Sequence, residues 1–124
     1  MAEVTELAQV SLSATDFDQA FMASLRRYGF AALIHHKLDE DRVQRIYEDW
    51  RAFFDSGAAD AYVIDPAGQD GYFSLQQAES ARGFNQRDYK EYFQYYSWGR
   101  CPDFLRSDLS AHFEASVALG ARLL

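Results

Sequence analysis

Apolar residues recur along this chain with two periods, and the pattern predicts a mixed α+β fold of three helices and several short strands. Phe17, Phe21, Leu25 and Tyr28 follow one another at steps of four, four and three, the spacing of one helical face, so a helix is predicted over 16–28. Thr15 stands three residues before Asp18, as in a capping box, and Gly29 suits the left-handed turn that ends a helix. Asp39 is placed to cap a second helix carrying Val43, Ile46, Tyr47, Trp50, Phe53 and Phe54 on one face, stopped by Ser56-Gly57. Leu105, Leu109, Phe113, Val117 and Leu124 predict a third helix from Asp103 or Ser107, over about 103–124. No cap, Gly or Pro closes that helix, which reads as truncated.

The intervening segments read as strands and turns. Val10-Ser11-Leu12 alternates as a short strand does, while residues 1–9 carry no clear signal. Phe30 to Ile34 is five apolar residues with no room for a helix before Asp39, and predicts a buried strand covered on both sides. Ala61 to Ile64 is β-prone, Asp65-Pro66-Ala67-Gly68 is turn chemistry, and Gly71 to Leu75 predicts a further strand. Residues 76–87 are polar and predicted as loop. Asp88 to Trp98 holds six aromatics in an imperfect alternation, predicting a strand with rings on both faces that Pro102 brings to an end.

Composition narrows the partners. The chain has 124 residues, 48% hydrophobic and 25% charged, enough for one globular region with a real core. Its net charge of −7 argues against nucleic acid and anionic membranes, whose binding rests on cationic side chains. No apolar run approaches the ~20 residues that span a bilayer, and no signal-peptide pattern is present, so a cytoplasmic location is expected. A single cysteine, Cys101, cannot form an internal disulfide. No repeat or low-complexity linker divides the sequence, and 1–124 reads as a single region.

Candidate chemistry is sparse. His35 and His36 would leave a strand on opposite faces and cannot readily share an ion, and strand-end histidines bonded to backbone are the plainer reading. His112 and Glu114 match the His-x-acid pair of facial-triad iron sites, but two residues along a helix diverge by about 200°, and no later histidine completes the set. Tyr89, Tyr92, Tyr95, Tyr96 and Trp98 could stack on bases, yet only Lys90 and Arg100 accompany them, so packing or a small-molecule pocket is favoured. Cys101 reads as a free, partly buried thiol. Phosphate-loop, Rossmann and nucleophile-elbow motifs are all missing from the sequence.

The order of these segments resembles the N-terminal region of isopenicillin N synthase-like Fe(II)/2-oxoglutarate-dependent oxygenases. The residues that carry the likeness are Val10-Ser11-Leu12, the helix to Tyr28, Gly29-Phe30, the strand ending at His35-His36, and the helix closing on Phe53-Phe54. It continues through Gly71-Tyr72 and Asp88-Tyr89-Lys90-Glu91-Tyr92-Phe93, so it covers about 10–96. His35 stands where the family usually has Asn. Gln69 stands two before Gly71, where the synthase has a substrate-binding arginine.

The resemblance implies the N-terminal helices and strands of a jelly-roll (double-stranded β-helix) oxygenase with the core mostly absent. It implies Fe(II) and 2-oxoglutarate as cofactors of the intact enzyme, a small-molecule substrate, and Gln69, Tyr72 and Phe73 as substrate-binding positions. The family's iron ligands and Arg-x-Ser clamp lie in a following core, and this sequence has neither Arg-x-Ser nor His-x-Asp. The chain alone is therefore expected to be an inactive portion of an oxidoreductase. The alternative is an autonomous protein-binding or oligomerisation module that self-associates through exposed strand edges.

Overall fold

In the computed structural model, which describes residues 7–77, 82–83, 85–86 and 88–124, the chain forms two compact units divided between Leu38 and Asp39. In the first, strand β1 (Gln9–Ser11) leads into helix α1 (Phe17–Tyr28), which returns the chain to strand β2 (Ala32–Ile34). The strands pair in parallel, Val10 opposite Leu33, an arrangement that a tight turn cannot make and a helical crossover can. Val10 and Leu12 are buried, and the Leu12 amide extends the ladder by donating to the Ile34 carbonyl at 3.1 Å. Gly29 ends α1 in the left-handed region (φ 80°), its amide donating to the Leu25 carbonyl. The buried Ser24 hydroxyl donates to the Phe30 carbonyl at 2.9 Å and holds the turn into β2.

Two expectations for this unit fail. Thr15 does not cap α1; Asp16 occupies the cap position without a side-chain bond, and the first turn is closed by backbone bonds, Phe17 to Ala14 and Ala20 to Asp16. The strand expected from Phe30 begins only at Ala32, because β1 offers three partners. Its residues are half-buried, and Phe30 is 56% exposed.

The second unit holds helix α2 (Glu40–Asp55), a 3-10 turn (Ala58–Tyr62), an antiparallel pair β3 (Gly71–Phe73) and β4 (Tyr92–Gln94), and helix α3 (Asp103–Leu123). Asp39 caps α2 as expected, accepting from the Arg42 amide at 2.9 Å. At the other end the Ser56 hydroxyl donates to the Phe53 carbonyl and Gly57 turns left-handed, φ 74°. The core gathers Phe53, Tyr72, Cys101, Leu105 and Leu109, with Trp50, Phe54, Tyr62 and Phe93 packed around them. Phe53 meets Trp50, Tyr62 and Phe93 edge-on at 5.4–5.7 Å between ring centres, an arrangement aromatic quadrupoles favour. Arg45 grips both oxygens of Asp108, at 2.9 and 3.0 Å, and joins α2 to α3. Pairs this exposed set geometry more than they add stability.

Here too several expectations are corrected. Tyr47 is 71% exposed rather than on the packed face of α2. Ala61 to Ile64 is not a strand. The residues up to Tyr62 wind into the 3-10 turn, and Val63 makes only an isolated parallel bridge to Tyr72. The strand expected over 88–98 shrinks to Tyr92–Gln94, since β3 supplies three partners. The loop expected over 76–87 lies partly outside the described residues. On α3 only Leu105 and Leu109 of the expected apolar line are buried; Phe113, Val117 and Leu124 are exposed. Helices and strands are mixed as expected, but both sheets are two-stranded and no jelly-roll is formed among the described residues.

Neighbouring positions on α3 give a direct check of this core. Leu105 is wholly buried and Phe104 is 57% exposed. Leu105→Ala is expected to cost about 2–5 kcal/mol in urea unfolding, and Phe104→Ala less than about 1 kcal/mol.

Candidate functional site

The second unit's polar chemistry gathers around the start of β3, and the local sequence explains how. Asp65 opens the turn expected from the sequence, its carboxylate accepting from the Ala67 amide and its carbonyl from those of Gly68 and Gln69. Gln69 leaves the turn in the left-handed region (φ 61°), with its side-chain amide donating to the Pro66 carbonyl. Asp70 then enters the interior, only 6% exposed. Its carboxylate accepts from the Arg100 amide at 2.6 Å and from the Arg100 Nε at 3.2 Å. The same guanidinium donates from Nη2 to the Asp70 carbonyl (2.9 Å) and to the Val63 carbonyl (3.2 Å).

Two glycines make room for this clamp. A Cβ on Gly99 would sit 3.0 Å from the Asp70 Cβ, and one on Gly71, where φ is 108°, would collide with the Tyr62 carbonyl. The Arg100 amide, followed by its guanidinium, holds the Asp70 carboxyl below the usual carboxylate range despite its burial.

The clamp fixes Tyr72, two residues on and 7% exposed. Its hydroxyl donates to Glu91 Oε2 at 2.6 Å, and its ionisation is pushed up to about 12, first by that bond and then by burial. Tyr72 walls a cavity of about 350 Å³ together with Asp60, Ser74, Gln76 and Gln77, while Val63 and Leu75 supply the apolar lining. Tyr72 and Ser74 share this side because alternate strand residues face the same way.

The three positions named by resemblance thus part company. Tyr72 lines the cavity; Phe73 turns to the other face and stacks on Tyr92, 4.5 Å between ring centres; Gln69 remains in the exposed turn. Asp60, Asp70 and Arg100 carry much of the local chemistry but were not singled out as site residues in the sequence. The signal available for the clamp was the glycine beside each partner, Asp70-Gly71 and Gly99-Arg100.

The histidines are engaged locally. His35, with φ 56°, places Nδ1 at 2.8 Å from the Ser11 hydroxyl, and His36 Nδ1 accepts from the Leu38 amide. His112 Nε2 lies 3.4 Å from the Ser116 hydroxyl, one turn along α3. Among the described residues no three His, Cys, Asp or Glu side chains gather to hold a metal ion, so these residues do not fit as holders of iron. Cys101 is buried more fully than expected, and burial pushes its thiol up, away from the reactive thiolate. No helix among the described residues is long and apolar enough to cross a membrane.

Over residues 4–109 the sequence matches the family described as "non-haem dioxygenase in morphine synthesis N-terminal". The chain belongs to this dioxygenase N-terminal family. Among solved structures, a "Putative oxygenase from Shewanella oneidensis" superposes with a TM-score of 0.82 at 35% identity. That match covers 97% of this chain and 41% of the other, so the chain spans about two-fifths of its structural relative. A comparison with curated proteins found no match. The cavity and the clamp of this dioxygenase N-terminal region both lie within the matched residues.

The clamp predicts a pH dependence. An aspartate whose folded-state pKa is depressed stabilises fully above its unfolded value of about 3.9, and that stabilisation is lost as pH falls from there through the folded value. Wild type should therefore melt above Asp70→Asn at pH 7, with the gap closing as the pH is lowered below about 4. A gap independent of pH would contradict the assignment.

Proposed function

We propose that the chain is the N-terminal portion of an isopenicillin N synthase-like non-haem Fe(II)/2-oxoglutarate-dependent oxidoreductase acting on a small molecule. In this reading it is inactive alone, serving as scaffold and as one wall of the substrate pocket. The observation that carries the reading is the family match over residues 4–109, supported by the oxygenase of known structure that the chain resembles along 97% of its length. The cavity beside Tyr72 suits a small-molecule role, being concave with a few convergent polar groups. Iron would supply oxygen activation in the whole enzyme, and its ligands would come from residues other than those described here. Tyr72 would face the substrate directly. Phe73 and Gln69, whose side chains lie outside the cavity, would act on it through the position of β3 and of the turn before it.

Two results test this reading. The reading frame beyond Leu124 is expected to continue into a core with His-x-Asp and a distal histidine; a continuation without them would overturn it. The 124-residue chain supplied with Fe(II) is expected to leave 2-oxoglutarate unconsumed, and steady decarboxylation by this chain alone would show that it is a complete enzyme.

A further inference from the structure

The cavity beside Tyr72 is lopsided in charge. Asp60 brings a carboxylate to its wall, and none of the described residues that line it is Lys, Arg or His. Glu91, not itself a lining residue, holds a second carboxylate 2.6 Å from the Tyr72 oxygen. Because the Tyr72 proton is directed at Glu91, the phenol presents lone pairs rather than a donor to any other partner. The Ser74 amide donates to the Gln77 side-chain oxygen at 3.2 Å, which orients that carboxamide along the rim. Val63 and Leu75 complete the lining with apolar surface. The Arg100 guanidinium, which reaches the carbonyl of the lining residue Val63, is otherwise committed to Asp70. The Tyr72 phenol feels the same charge, since the bond to Glu91, burial and the charges of Glu91 and Asp60 all disfavour its anion.

We propose that this cavity is a binding site for a ligand bearing a protonated amine on a compact apolar skeleton, and that it discriminates against carboxylates. The ammonium group would be held by Asp60 and by the Tyr72 oxygen polarised through Glu91, with the skeleton against Val63 and Leu75. A charge-assisted hydrogen bond in a partly desolvated site is stronger than a neutral one, whereas an anion in the same place would meet the Asp60 carboxylate, with that of Glu91 beyond Tyr72 and no counter-ion among the described lining residues. The inference rests on the reading of this cavity as a substrate wall and assigns the chemical class of that substrate.

The test is an NMR titration of the 124-residue chain with three probes of similar skeleton: 2-phenylethylamine, 2-phenylethanol and 3-phenylpropionate. The amine is expected to shift the Tyr72, Ser74 and Leu75 amides saturably and to bind about tenfold tighter than the carboxylate. In the Asp60→Asn, Glu91→Gln double variant that preference should fall to near unity while the circular dichroism spectrum is unchanged. Equal or tighter binding of the carboxylate, or no saturable shift with the amine, overturns the proposal in the wild-type chain regardless of how the variant folds. Neither iron nor 2-oxoglutarate enters this readout. Amine-selective binding in a chain whose reading frame lacks a metal core would sink the oxygenase reading alone, and a complete core with no amine preference would sink this inference alone.

Discussion

Asp70 gives its carboxylate to the amide and the guanidinium of Arg100, and that exchange joins three separate stretches of the second unit. The guanidinium also takes the carbonyls of Asp70 and Val63, so the end of the 3-10 turn, the entry to β3 and the approach to α3 meet at one side chain. A buried carboxylate is costly unless its lone pairs are satisfied, and here backbone and side-chain donors converge on it. The geometry downstream follows. With Asp70 held, β3 starts at a fixed point and Tyr72 is delivered between the aromatic core and the cavity.

The aromatic cluster is the other half of that arrangement. Phe53 from α2, Phe93 from β4 and Leu105 from α3 fill the interior against which β3 rests, while the Tyr72 hydroxyl emerges toward Glu91. One tyrosine therefore serves both sides. Its ring belongs to the core and its oxygen to the polar wall, so the surface that would meet a ligand is as rigid as the packing behind it. Under the proposed function this has a context, since a region that would shape a pocket needs firm placement more than reactive groups of its own.

Much of the fold was legible in the sequence, for identifiable reasons. Helix α2 is amphipathic, capped by Asp39 and stopped at Ser56-Gly57, and all three signals are local. Strand lengths were not legible, because a strand extends only as far as its partner does. Residues 30–34 and 88–98 are apolar or aromatic enough for longer strands, yet each finds three partners. Tyr72 was reached through family resemblance. The Asp70–Arg100 clamp and the place of Asp60 in the cavity depend on contacts between residues 30 or 12 positions apart, which no local period encodes.

The proposed function divides the labour: these residues would shape a pocket and the metal would be held elsewhere. His35 and His36 are occupied with Ser11 and the Leu38 amide, and His112 stands beside Ser116 on α3. An anaerobic titration of the 124-residue chain with Fe(II), followed by calorimetry, tests this most directly. Only weak binding without a defined stoichiometry is expected. A tight site with one iron per chain would contradict it.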